Sequence, residues 1–392
     1  MTFAPLQKSE RAAFRQMLQT PDNARMGASV LMFLLSSLAV PFSEIEGVAL
    51  LFLAYAAIFY YTLTHSVPSV LLVALPGALL FGVSSFIPLL SSPFTLPAAY
   101  AALVLGGMGG AFVLLHNRTP RRALPLLLLP VAVCLTVWLI TRNPFQVYLA
   151  LLPAILGGVL AFCILTCRAH TPSVLLLATV AGGLAVGGWM IFLAVHGFPD
   201  GNVLIALVES VRACILHFYT EALALYAEQG LSFGYSSLDM QNIAALLGNI
   251  LPGLFGASCL LLAYILYRAM LRLMHAWGTL PRIPVRLASL TVSPMAAGVF
   301  TISYLVSLFA GATLIGTVGE NLAILFEPVL VLVGVSVLMG KGAERSCLSH
   351  VLLLAVFIAL FLNPAVALGV TALVGAFHIL AARFLPHDKG GK

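Results

Sequence analysis

The sequence is poor in charge, since only 8% of its 392 residues are Asp, Glu, Lys or Arg. Soluble globular chains carry about 25%, so this chain has too few charged side chains to cover a water-facing surface. Hydrophobic residues make up 61% of it. A bilayer suits this composition, because lipid-facing positions require apolar side chains and helices satisfy their own backbone hydrogen bonds. We therefore predict an all-α fold, that of a polytopic α-helical membrane protein.

The sequence also lacks the short motifs of familiar enzymes and metal sites. It contains no GxSxG, HExxH, nucleotide-binding loop, pair of membrane aspartates or metal-ligand cluster, which argues against catalysis driven by the chain's own ATP hydrolysis. Its six cysteines form no CxxC pair, and five of them lie in apolar runs. Buried, reduced thiols are expected there. No cofactor or metal is expected, and a protein without enzymatic activity is favoured.

Apolar stretches of spanning length recur along the whole chain. Crossing a hydrocarbon core of about 30 Å takes roughly 17 to 25 apolar residues. The sequence predicts about twelve transmembrane helices, with a range of 10–12 because the eleventh stretch is short enough to be re-entrant. The stretches are 26–42, 47–63, 68–90, 98–116, 123–140, 146–166, 172–195, 248–267, 287–310, 320–339, 348–362 and 365–384.

The distribution of basic residues predicts the orientation of the chain. With an even number of spans both termini lie on one side, and basic residues collect on cytoplasmic loops. Of the 19 Lys and Arg residues, all except Arg142 and Arg212 fall on the predicted inner side. We expect a protein of the bacterial cytoplasmic (inner) membrane, with the N- and C-termini in the cytoplasm. The basic residues form no continuous stripe, so the expected partner is the lipid bilayer and not nucleic acid.

The spans divide the chain into four predicted parts. Residues 1–25 form a cytoplasmic amphipathic segment without a cleavable signal, 26–196 an N-terminal helical bundle, and 248–392 a C-terminal bundle with a basic tail. Between the bundles, residues 197–247 are predicted to be external. Their apolar residues from Leu204 to Leu225 repeat with the 4-3 spacing of an amphipathic helix, and Gly230–Asp239 is typical of a loop.

The external helix carries two residues that are candidates for binding. Glu209 and Arg212 stand at positions i and i+3, so their side chains can meet on one helix surface. They form either a solvated ion pair or a surface for an anionic or lipid-linked substrate. The residues alone leave both interpretations open.

Glu327 is the most unusual residue within a predicted span, because an ionisable side chain at membrane depth is costly and often functional. Seven residues from Glu320, at about 1.5 Å each, place it roughly 10 Å inside the boundary. Pro328 follows directly and frees a nearby backbone carbonyl. Together with Asn321, Glu327 is predicted to line a path for a substrate or proton. The alternative is structural: a neutral or paired carboxyl that joins helices, with Asn321 forming an interhelical hydrogen bond.

Glycine pairs in two spans predict closely packed helices. The run Gly106–Gly110 has glycine at four of five positions, and Gly182–Gly183 and Gly187–Gly188 lie in the seventh span. Small residues let helix backbones approach each other in lipid. The runs lack the Lys and Ser/Thr of a phosphate-binding loop.

The C-terminal third resembles a known family. A basic connection with Arg282–Pro284 leads into the span SPMAAGVFTISYLVSLF, which is followed by ENLAILFEPVLVLVGVSVLMGK. A hairpin broken at Asn363-Pro364 and a helix ending near Arg383 complete the order. Over residues 205–385 this order is similar to the YybS-like family of bacterial multipass membrane proteins. The family's N-terminal region is similar to substrate-capturing components of vitamin transporters, so the resemblance implies a transporter-like role. Where such components end in an Asp, this chain has His378.

Three classes of function follow from these residues. The first is a transporter-like protein that binds a small solute or lipid within the bundle, with Glu327 and Asn321 as the polar lining. The second is a membrane glycan polymerase or ligase that uses Glu209 and Arg212 of the external segment. The third is a non-catalytic envelope scaffold that acts through partner membrane proteins.

Overall fold

The structure is a computed structural model that describes residues 23–41, 91–116, 120–166, 170–197, 237–276, 292–311, 313–338 and 364–384, together with six positions between 205 and 220. Regular structure in this part of the chain is α-helical throughout. The helices are α1 Asn23–Ala39, α2 Ser91–His116, α3 Pro120–Thr141, α4 Pro144–Leu165, α5 His170–His196, α6 Ser237–Ala276, α7 Pro294–Ala310, α8 Leu314–Leu338 and α9 Pro364–Phe384.

The described helices are those of a membrane protein. Four helical segments are long and apolar enough to cross a bilayer: Pro144–Leu165, Thr171–Val195, Gly248–Met274 and Leu314–Leu338. Large apolar side chains are exposed on the helices, among them Phe309 at 87%. Contact with lipid chains is more favourable for such groups than contact with water. The all-helical prediction is confirmed. The structure gives four candidate spans among the described residues, and the predicted spans 47–63, 68–90 and 348–362 lie outside those residues.

Several helices begin or end away from the predicted bounds. The α7 helix begins at Pro294, seven residues after the predicted start of that span, because the Ser293 hydroxyl caps it by accepting from the Met295 N–H at 3.2 Å. The α6 helix begins at Ser237 and runs to Ala276. It therefore includes the end of the predicted loop at Asp239 and continues across the predicted boundary at residue 247. Hydropathy marks the apolar part of a helix and does not mark its ends.

The chain divides into two compact units, and α6 contributes to both. Unit 1 contains α1–α5 and the part of α6 from Cys259 onward. Unit 2 contains the part of α6 up to Ser258, with α7, α8 and α9.

Unit 1 is held together around the glycine-rich segment of α2. A Cβ atom added at Gly109 would lie 2.7 Å from the Ser29 carbonyl oxygen of α1, and one at Gly106 would lie 2.7 Å from the Pro153 Cβ of α4. Fully buried side chains fill the spaces around these contacts; they include Met32, Met108, Phe112, Leu160, Leu177 and Leu266. The prediction of close approach at Gly106–Gly110 is confirmed.

In α5 the prediction of close packing is confirmed at Gly187–Gly188 and is wrong at Gly183. A Cβ at Gly188 would lie 2.9 Å from the Tyr148 ring of α4, and the Tyr148 hydroxyl donates a hydrogen bond to the Leu184 carbonyl. At Gly183 an added Cβ would have no heavy atom within 4 Å. The Gly187–Gly188 pair therefore provides space for an aromatic ring, not for a neighbouring backbone.

In unit 2, α7, α8 and α9 share a small buried core made of Ala297, Phe300, Ala323, Leu330, Ala372 and Ala376. The α8 and α9 backbones approach most closely at a pair of glycines. A Cβ at Gly334 would collide with the Thr371 carbonyl oxygen, and one at Gly375 would collide with the Leu330 carbonyl oxygen. Each glycine thus faces the backbone of the other helix.

Candidate functional site

Glu327 lies near the middle of α8. The helix begins at Leu314, so thirteen residues at about 1.5 Å each place Glu327 roughly 20 Å from its start. Its side chain is half-buried. Among the residues that the structure describes, it has no hydrogen bond or ion pair. A carboxyl group in this position has unused capacity to bind a donor or a cation.

Pro328 adds a second acceptor beside the Glu327 carboxyl. It lies inside α8 and has no N–H to donate to the carbonyl of Ile324 one turn earlier. Ile324 and Glu327 stand at i and i+3, positions that neighbour each other on a helix surface. Glu327 therefore lies within one helical turn of a backbone carbonyl that lacks its usual donor, in a largely apolar helix.

Asn321, the other predicted lining residue of α8, is occupied by contacts between helices. Its Oδ1 accepts from the Gly253 N–H at 2.7 Å, and its Nδ2 donates to the Asn249 carbonyl at 2.9 Å. Nδ2 also donates to the Thr317 carbonyl within α8 at 2.9 Å. Asn249 and Gly253 are an i−4 and i pair of α6, so the carboxamide contacts the acceptor and the donor of one helical turn.

The sequence of α6 allows this contact through its small residues. A Cβ at Gly253 would lie 2.7 Å from the Asn321 carbonyl oxygen, and one at Gly256 would lie 2.6 Å from the Leu325 Cδ1. Gly253 therefore requires glycine if the two helices are to stay this close, because it faces backbone atoms of α8, whereas at Gly256 the end of the Leu325 side chain could turn away. Pro252 precedes Gly253 within the helix, where a proline loosens the backbone hydrogen-bond ladder. Close packing and a loosened turn together let the Asn321 amide reach the backbone of α6.

Asn321 and Glu327 lie on different faces of α8. At 3.6 residues per turn, six residues separate them by about 120° around the helix axis. The structure does not bring these two side chains together into one lining. Glu320 and Glu327, seven residues apart, share one face instead.

Removing the Asn321 carboxamide should weaken unit 2. Asn321→Ala deletes two interhelical hydrogen bonds, each worth about 0.6 kcal/mol in membrane proteins, and leaves the Gly253 N–H without its side-chain acceptor. We expect a loss of about 1–2 kcal/mol in the free energy of unfolding, measured in detergent. Asn321→Gln, which keeps the amide group, should lose less. Equal stability of Asn321→Ala and the parent would contradict the joining role.

The two candidates in the external segment are described only in part. Glu209 is helical and exposed, as are Ile205 and Ala213 at four-residue spacing before and after it. Arg212 lies outside the described residues, and so does most of the predicted apolar stripe. The ion pair between Glu209 and Arg212 therefore stays a prediction.

Arg268 is a buried polar residue, although it follows the end of the span predicted over 248–267. It is only 8% exposed and lies within the candidate span Gly248–Met274. Its guanidinium interacts electrostatically with the side chain of Tyr264, one turn earlier in α6. The signal in the sequence was the i, i+4 spacing of Tyr264 and Arg268. The span predicted from hydropathy ends at residue 267, because the charge of Arg268 interrupts the apolar run.

In the described part of the chain, no group of three or more His, Cys, Asp or Glu side chains is arranged to hold a metal ion. The chain as a whole matches no protein-family model, no curated protein and no solved structure.

Proposed function

We propose that this chain is a transporter-like multipass protein of the bacterial cytoplasmic membrane, which binds a small solute or lipid within its helix bundle at Glu327. The proposal includes about twelve spans, with both termini in the cytoplasm. The proposal depends on one observation. Among the described residues, the Glu327 carboxyl has no hydrogen-bond or ion-pair partner, and it lies at the middle of a 25-residue apolar helix.

The chemistry of Glu327 indicates the kind of ligand. A carboxylate placed in hydrocarbon costs several kcal/mol unless a proton, a cation or a hydrogen-bond donor reaches it. A ligand with an amine, or a coupling proton, would supply what is missing. The Ile324 carbonyl beside Glu327 adds an acceptor for the same ligand. Broken or loosened helices that expose such carbonyls at mid-membrane are a recurring feature of transporter sites.

The resemblance of residues 205–385 to the YybS-like family supports a transporter-like role, because part of that family is similar to substrate-capturing transporter components. The arrangement of Asn321 refines the proposal, since this residue joins α8 to α6 and is not free to bind a ligand. We therefore assign ligand binding to the face of α8 that carries Glu320 and Glu327.

Glu327→Gln should abolish ligand binding, while Glu320→Gln should not. The two variants remove the same charge from the same face of α8, but Glu320 lies only about 9 Å from the helix start. The measurement is mass spectrometry of small molecules that co-purify with the full chain. A molecule that is present in the parent and in Glu320→Gln should be depleted at least tenfold in Glu327→Gln. Equal recovery from all three would contradict the proposal.

The two alternative functions predict different results in cells that require the protein. A glycan polymerase or ligase predicts loss of growth with Arg212→Ala and normal growth with Glu327→Gln. An envelope scaffold predicts normal growth with both variants. The transporter proposal predicts loss of growth with Glu327→Gln.

A further inference from the structure

An apolar groove of about 300 Å³ runs along the surface of unit 1 between α3 and α4. Its lining contributes no polar surface. The residues that form it are Pro130, Val131, Cys134, Leu135 and Trp138 of α3 with Val147 and Leu151 of α4. Its volume lies at the lower end of the range for ligand sites.

The groove is bordered by apolar side chains that face outward. Leu128, Leu139 and Ile140 of α3 are each at least 63% exposed. In a membrane protein such a helix face contacts lipid chains. The groove is therefore a concave part of a surface that already lies against hydrocarbon, and an acyl chain matches its chemistry.

One end of the groove is marked by a cation held in an unusual backbone conformation. Arg142 has φ = 49°, the only positive φ found for a non-glycine residue in the described part of the chain. Its N–H donates to the Trp138 carbonyl at 2.9 Å, so it lies one helical turn after the tryptophan that lines the groove. Its side chain is exposed. Left-handed backbone at a non-glycine residue is strained and is often found at functional sites.

The connection around Arg142 is fixed by hydrogen bonds on both sides. The Asn143 N–H donates to the Thr141 hydroxyl at 3.3 Å, and the Asn143 side chain caps α4 by accepting from the Phe145 N–H at 2.9 Å. Only Arg142 and Asn143 lie between the two helices. The guanidinium group is thus attached at a defined point where α3 and α4 meet.

The distance along the groove matches one leaflet. From Val131 to Arg142 there are eleven residues, which correspond to about 16 Å along a helix. Half of a hydrocarbon core of about 30 Å is about 15 Å. In the predicted topology, a chain lying in the groove would therefore extend from mid-membrane toward Trp138 and Arg142 at the headgroup region.

We propose that the α3–α4 groove binds one acyl chain of a membrane phospholipid of net negative charge, whose headgroup phosphate is held by Arg142. Arginine suits this role, because its planar guanidinium binds phosphate through two parallel hydrogen bonds. In the predicted topology this end of the groove lies at the outer leaflet, and Arg142 is one of two basic residues on that side. The site uses none of the residues assigned to the proposed function.

Trp138 provides a direct reporter, because bromine atoms on an acyl chain quench a nearby indole. The full chain, with Trp189 and Trp277 changed to Phe, is reconstituted in phosphatidylcholine vesicles. Two preparations are compared: in one, a tenth of the lipid is brominated phosphatidylglycerol, and in the other, a tenth is brominated phosphatidylcholine. One basic residue near a membrane surface contributes about 1 kcal/mol toward an anionic lipid. We therefore expect the brominated anionic lipid to quench Trp138 about three- to fivefold more strongly. Equal quenching by the two lipids would overturn the proposal.

Substitutions test whether the charge of Arg142 and the open groove are responsible for this preference. Arg142→Gly suits the positive φ and removes the charge, so the two brominated lipids should then quench Trp138 equally. Arg142→Lys keeps the charge and should retain the preference for the anionic lipid. Val131→Phe fills the groove and should also lower the preference. Arg272→Gln, a control on an exposed arginine of α6, should leave it unchanged. Retention of the preference by Arg142→Gly or Val131→Phe, or its loss in Arg272→Gln, would overturn the proposal.

Discussion

Replacing Gly334 with alanine is expected to lower the free energy of unfolding by about 3 kcal/mol, the upper part of the range for overpacked cores. The added Cβ would collide with the Thr371 carbonyl oxygen and would lie 2.9 Å from the Thr371 carbonyl carbon. Because both are backbone atoms, no side-chain rotation can relieve the contact, and α8 must move away from α9. The loss is measured as a lower midpoint of thermal unfolding in detergent.

Gly298→Ala is the matched control for this prediction. It makes the same change in α7 of the same unit, at a position where an added Cβ has no heavy atom within 4 Å. Alanine favours a helix over glycine by about 1 kcal/mol, so this variant should be as stable as the parent or slightly more stable. If Gly334→Ala unfolded at the same temperature as Gly298→Ala, the close α8–α9 contact would be wrong.

In unit 1, two adjacent glycines of α4 should respond in opposite directions to the same substitution. A Cβ at Gly157 would lie 2.8 Å from the Gly107 carbonyl oxygen and 3.0 Å from the Ala111 nitrogen of α2. At Gly158 nothing lies within 4 Å. Gly157→Ala should therefore lose about 1–3 kcal/mol through overpacking, while Gly158→Ala should gain up to about 1 kcal/mol from helix propensity.

Denaturant unfolding followed by circular dichroism in detergent measures this difference directly. Because both variants change the same helix by one methyl group, their lipid exposure and composition are nearly identical. Equal midpoints for Gly157→Ala and Gly158→Ala would show that α2 and α4 do not approach as closely as the structure indicates.

The all-helical fold of the described residues could be predicted because their apolar runs are long and because the bilayer admits few other structures; the number of spans stays a prediction. The sequence also predicted the close approach at Gly106–Gly110, since small residues have few other uses inside an apolar helix. Helix ends were less predictable. The start of α6 at Ser237 and its continuation past Arg268 depend on polar residues that a hydropathy pattern assigns to loops.

The contacts of Asn321 were beyond sequence reasoning for a different reason. Its partners Gly253 and Asn249 are 68 and 72 residues away along the chain, and no local pattern connects them. The choice between a lining and a joining role depends on which face of α8 meets α6. The position of Glu327 inside an apolar helix could be predicted, by contrast, because a charge inside an apolar run is conspicuous whatever surrounds it; its role in binding stays a prediction.

The late position of α9 in the chain has a consequence for biogenesis. Its alanines Ala372 and Ala376 belong to the core of unit 2, and its backbone covers Gly334. While the chain is still being synthesised, Phe300 and Leu330 therefore lack part of their final surroundings until the last described helix has entered the membrane. A nascent chain released before Pro364 would present an incomplete core of this kind.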